Sequence, residues 1–311
     1  MPGRFNETAA GWIFFVSYLA GVLLTAFMTA SGSPHHDSLV IFLLYVVIGQ
    51  IAFNVLPAVV WFRYKGISMK NTFLLNKVSP RTLILSLLIY AISQIVLLFF
   101  HQLTELVSIA LGAPYATSHY PVADSIGALL ILIVSIGIIP PICEELLFRG
   151  ALLTGYARRG VWFSAGMTAA LFALFHDNPY RIAELFASAW LAAVIVLRAR
   201  SIYPGMLVHL LTNTTYVCVS YFQGGDMLEG LTAPQGPELQ TVVLTGIASA
   251  AAFFICRWLW LRIEPAGQPL AGGGHGPHTC ANPVWLIPVI LSVVVFLVKY
   301  VSLNLGAHLP G

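Results

Sequence analysis

Apolar residues in this chain come in long runs separated by short polar or basic stretches. The runs fall at approximately 11–31, 38–62, 82–112, 124–156, 161–176, 181–199, 204–222, 238–260 and 283–303. About 20 apolar residues is the length of α-helix that crosses a bilayer. The pattern therefore predicts an all-α, polytopic membrane bundle of about nine helices. The third and fourth runs are long enough to tilt or protrude. The fifth is short and ends at His176-Asp-Asn-Pro-Tyr180, a turn signal. No internal repeat is visible, and one membrane domain over 1–311 accounts for the whole chain.

Composition strengthens the membrane reading. Only 9% of residues are charged and 58% are hydrophobic, against roughly 25% charged in an ordinary soluble domain. Mean hydropathy is +0.85. A formal charge of +3 is too small to point to a nucleic-acid partner. The placement of the charges is more informative. Arg63, Lys65, Lys70, Lys77 and Arg81 follow the second run. Arg158 and Arg159 follow the fourth, Arg198 and Arg200 the sixth, and Arg257 and Arg262 the eighth. All fall on one side, together with the N-terminus. The positive-inside rule makes that side cytoplasmic. The loop after the seventh run holds Asp226, Glu229 and Glu238 and no base.

The first run, Trp12 to Ala30, exceeds a signal-peptide core and has only Arg4 before it, so it reads as a retained helix. Cys143, Cys218 and Cys256 lie in apolar runs and show no paired spacing. Residues 264–283, rich in Gly, Pro and His, read as a flexible cytoplasmic linker. His275, His278 and Cys280 within it lack a fourth ligand and read as loop.

Candidate chemistry begins with Glu144 and Glu145, adjacent carboxyls in an apolar run and followed by Arg149. A charge at a bilayer centre costs roughly 2.5 to 3.5 kcal/mol on insertion scales, so such groups face protein or water. Glu145 and Arg149 are four apart and can pair along a helix. Glu144 is turned about 100° away and has no helical partner, which suits a general base. Pro140 and Pro141 interrupt the hydrogen-bond ladder. A restart there places both glutamates in or near a first turn, where the helix dipole favours them. Phe172 and His176 share a face, as do His209 and Asn213. Each pair alone could equally be an interhelical clamp. His101, Gln102 and Glu105 form a further polar set, read as marking the outer interface.

Together, Glu-Glu-x-x-x-Arg (144–149), Phe-x-x-x-His (172–176) and His-x-x-x-Asn (209–213) resemble the motifs of the CPBP intramembrane proteases. That family includes the type II CAAX prenyl endopeptidases and the bacterial Abi proteins. The resemblance covers about 124–220, the expected catalytic core. It implies an endopeptidase acting on a membrane-associated protein or peptide, prenylated or not. Glu144 and His176 would activate water, and His209 and Asn213 would form the oxyanion hole. Glu145 and Arg149 would support Glu144, with Phe172 beside His176. The family core is similar in having eight membrane helices, which leaves the ninth as a C-terminal addition.

No cofactor is expected, although the resemblance does not exclude a metal. Zinc on Glu144, His176 and His209 is the alternative, although no His-Glu-x-x-His helix is present. A non-catalytic immunity or scaffold protein of the same fold, and a transporter or proton relay, are the competing classes. A transporter predicts inverted repeats. One constraint follows from topology. If His176 and His209 both meet Glu144, the fifth helix must tilt or the turn at 177–180 must lie inside the protein.

Overall fold

The structure is a computed structural model that describes residues 5–30, 38–110, 121–225, 236–267 and 283–308. Its elements are α1 (Glu7–Ala30), α2 (Leu39–Lys65), α3 (Pro80–Ala110), α4 (Ile126–Arg159), α5 (Val161–Phe175), α6 (Pro179–Ala199), α7 (Tyr203–Gln223), α8 (Leu239–Trp260) and α9 (Leu286–His308). Every predicted apolar run is thus a helix, and no strand occurs among the described residues. Asp226, Glu229, His275, His278, Cys280 and most of the 264–283 linker lie outside the described residues.

Seven of the helices are long and apolar enough to cross a membrane, and the chain is an integral, multi-pass membrane protein. The two that fall short differ in cause. α5 has 15 residues, about 22 Å at 1.5 Å per residue, against roughly 30 Å of hydrocarbon. α7 has 21 residues but carries His209, Thr212, Asn213 and Thr214 through its middle.

The bundle is arranged for lipid. Phe27, Phe222, Ile247 and Phe254 are exposed, whereas Ser17, Ser86, Ser135 and Ser164 are fully buried. Two of these serines return their hydroxyls to their own helix, Ser86 Oγ donating to Thr82 O at 2.8 Å and Ser135 Oγ to Ile131 O at 2.9 Å, while Ser164 Oγ donates across to Leu153 O of α4. Small residues let the helices approach closely, as membrane interfaces require. α8 lies along α3, α6 packs on α5 and α3, and α9 packs on α1.

Two helices widen rather than break at their prolines. α2 has a π-helical segment, Gly49–Val55, just before Pro57. α4 has one at Ile133–Ile138, just before Pro140 and Pro141. Proline cannot donate to the carbonyl four residues back, and a wider turn absorbs the mismatch. The expected restart is thereby corrected. Glu144 and Glu145 sit at the end of the α-helical stretch Ile139–Glu145, not in a first turn. A second wide segment, Leu146–Leu152, follows directly, and no proline accounts for it.

One end of the bundle gathers the basic loops. Arg159 meets Glu7 at 3.3 Å and stacks 4.2 Å over Trp285. Phe5 packs on Phe62, and Phe62 on Phe73. Asn76 donates to Arg200 O at 2.7 Å, and Ala266 N to Ala199 O. The start of α1, the 66–79 loop, and the ends of α4, α6 and α8 therefore share a side.

Candidate active site

α4, α5 and α7 bring the three motifs to one cavity of about 1110 Å³. Glu144, Glu145, Arg149, Phe172, His176, His209 and Asn213 all line it. Glu144 is 5% exposed and Glu145 is fully buried.

Glu145 is the anchor of the group. Its Oε1 lies 3.0 Å from Arg149 Nη1 and 3.1 Å from His209 Nδ1. The predicted i,i+4 pair is present, and it also holds a histidine from α7. Arg149, 2% exposed, reaches Ala189 O at 3.4 Å through Nη2 and lies 4.6 Å over the Phe172 ring. With Nδ1 turned to Glu145, His209 presents Nε2 to Glu144 Oε2 at 3.8 Å.

Gly205 makes this approach possible, since a Cβ there would lie 2.7 Å from Glu145 Oε2. At Gly137 a Cβ would lie 2.6 Å from Thr214 Oγ1, so α7 also lies tight on the first wide turn of α4. Asn213 Nδ2 donates to Ile136 O at 3.1 Å, a carbonyl within that turn.

Phe172 links the two histidines. Its ring centre is 4.4 Å from that of His176 and 5.9 Å from that of His209. His176 Nδ1 is 2.9 Å from Phe172 O, the carbonyl one turn back. The topological constraint is met because α5 is short and its exit turn is internal. Asp177 adopts a left-handed conformation at φ 51°. Its carboxylate accepts from Tyr18 on α1 and pairs with Lys299 on α9. Asn178 is buried and its Oδ1 caps Tyr180 N at 3.0 Å. Irregular backbone inside a membrane protein is tolerated where protein satisfies it in this way.

Two findings concern residues outside the motifs. Glu144 lacks a helical partner but not a partner: Gln50 Nε2 on α2 donates to its Oε1 at 3.1 Å. The signal for Gln50 was present, two amides four apart (Gln50 and Asn54) in an apolar run, the same pattern that marks His209 and Asn213. The set at His101, Gln102 and Glu105 is buried within the bundle. His101 Nδ1 lies 3.6 Å from Glu184, which Arg181 holds at 2.9 Å, and Gln102 accepts from Thr245 at 2.6 Å.

The zinc alternative would draw on side chains of this same site. Glu144, His176 and His209 share the cavity. Among the described residues, however, no three His, Cys, Asp or Glu side chains group closely enough to hold a metal ion.

No curated protein and no solved structure matches the chain. Residues 126–215, which carry all three motifs, match the family model described as type II CAAX prenyl endopeptidase Rce1-like. The segment that carries the three motifs is therefore similar to the type II CAAX prenyl endopeptidases over that stretch, which is less than half of the chain.

Proposed function

We propose that this protein is a glutamate-dependent intramembrane endopeptidase that hydrolyses a peptide bond in a membrane-associated protein or peptide. One observation carries the reading: a nearly buried carboxylate, Glu144, opens on a roomy cavity and is left out of the Glu145–Arg149 ion pair. A structural clamp would neutralise both glutamates. Here one is neutralised and the other faces the space where a substrate fits.

In this mechanism Glu144, with His176, takes a proton from water while the water oxygen attacks the scissile carbonyl carbon. The carbonyl π pair moves onto oxygen. His209 and Asn213 donate hydrogen bonds to that oxyanion. Its collapse breaks the C–N bond, and the proton held by Glu144 passes to the leaving amine. Glu145 and Arg149 keep His209 in place. Leu24, Val46, Leu97, Leu98 and Leu185 on the cavity wall suit an apolar peptide, prenylated or not. No metal takes part in any step. The basic end of the bundle, with the N-terminus, faces the cytoplasm.

Glu144→Gln keeps size and hydrogen bonding but removes the base. Cleavage by the purified protein is expected to fall by about 10² to 10⁴, with folding intact. Activity of the parent is expected to survive exhaustive chelation. Near-parental turnover by Glu144→Gln would reject the mechanism. Loss on chelation that added zinc restores would replace it with a metal-assisted one.

A further inference from the structure

The three motifs account for one side of Glu144. On its other side lies α2, which holds none of them and falls outside the matched residues 126–215. Gln50 donates from Nε2 to Glu144 Oε1 at 3.1 Å, and Asn54 donates from Nδ2 to Gln50 Oε1 at 2.8 Å. Both amides line the cavity, and Asn54 is 2% exposed. They belong to the wide segment Gly49–Val55, which packs on the stretch of α4 that ends in the two glutamates. Such segments recur at functional sites.

Chemistry fixes the direction of this relay. An ionised carboxylate only accepts, so Gln50 must turn its NH₂ toward Glu144. Its own oxygen then faces back along α2 and requires a donor, which Asn54 supplies. The relay also distinguishes the two oxygens of Glu144. Oε1 is held by Gln50, while Oε2 is the oxygen 3.8 Å from His209 Nε2.

We propose that Gln50 is a positioning residue for Glu144, oriented in turn by Asn54, and that the pair fixes Oε2 as the oxygen that accepts the proton. The proposal rests on Glu144 acting as the base. It adds a helix outside the three motifs to the functional unit. A simple interhelical clamp is the competing role. A clamp lost from a membrane bundle lowers stability, whereas a misaimed base slows the chemical step and leaves substrate binding alone.

The test uses the full-length protein in detergent or liposomes, with Gln50→Met and Asn54→Leu. Methionine matches glutamine in length and lacks the amide. For Gln50→Met, kcat is expected to fall by about 10- to 100-fold with KM within about twofold of the parent. Asn54→Leu should lose less, on the order of 3- to 10-fold, since Gln50 can still reach Glu144 unaided. Infrared difference spectra supply a readout independent of turnover. The carboxylate stretch assigned to Glu144, through its loss in Glu144→Gln, should shift in Gln50→Met and partly in Asn54→Leu. An unshifted band, or kcat and KM both at parental values, would overturn the positioning role. A fall in melting temperature with kcat unchanged would reduce the pair to a clamp. If Gln50→Met does not fold, the band and kcat of Asn54→Leu decide alone. Activity retained by Glu144→Gln would sink the general-base reading instead, and the band shift would still report the Gln50 contact.

Discussion

Glu145 carries two unlike partners on a single oxygen, and that makes it the structural hinge of the site. Arg149 supplies the countercharge and His209 a hydrogen bond, all within buried surroundings. Removing one partner of a buried ion pair leaves an uncompensated charge. Arg149→Ala is therefore expected to lose about 3 to 5 kcal/mol of stability, read as a lower melting temperature and lower yield. A variant that melts like the parent but cleaves nothing would move Arg149 into the chemistry. The sequence announced this pair because helical spacing is a local rule: residues four apart must meet. The same rule is silent on what lies across the bundle. It could not tell that Asn213 gives its amide to Ile136, or that Glu144 is met from α2.

At the scale of elements, the apolar runs locate every helix to within a few residues, because lipid enforces length as well as composition. The wide turns were not legible. Pro57, Pro140 and Pro141 mark where the ladder must change but not that it widens without breaking. The depth of His176 was ambiguous for a similar reason, since only the partners of Asp177 show that the following turn is internal. The contact between α7 and α4 is the element-level feature on which the site depends. Gly205→Ala would place a methyl 2.7 Å from Glu145 Oε2 and 2.9 Å from Val196 Cγ2. Glu145 is pinned from two sides and cannot yield, so α7 must shift outward. Overpacking of this kind costs about 1 to 3 kcal/mol, and His209 and Asn213 move with the helix. Melting temperature and turnover of Gly205→Ala should both fall. Parental values in both would show that α7 slides freely on α4.

Over the whole molecule, charge sets orientation and packing sets neighbours. Five of the 15 Lys and Arg residues lie between Arg63 and Arg81, at the end of the bundle where Glu7, Arg159 and Ala266 also lie. A cysteine placed at Lys70, in a chain whose described native cysteines are free and at least half-buried, is expected to resist impermeant thiol reagents in intact cells and to react after lysis. Ready labelling from outside would invert the topology. That the basic loops share one end of the bundle was legible because loop charge is read one loop at a time. The pairings α3 with α8 and α1 with α9 were not, because apolar helix faces look alike in lipid.

The turn that carries His176 is held by the first and the ninth helices at once, through Tyr18 and Lys299 on Asp177. Ribosomes deliver these partners at different times. Tyr18 is already made when Asp177 emerges, but Lys299 follows 122 residues later. At about 5 to 20 residues per second that is a wait of roughly 6 to 24 s. Once Asn213 is made, all three motifs are in place for the rest of this interval while the turn beside them lacks its cation. Completion of the site is thus a late event of biogenesis, timed by chain order, and a nascent chain already holding every motif residue still lacks the cation that pairs with the His176 turn.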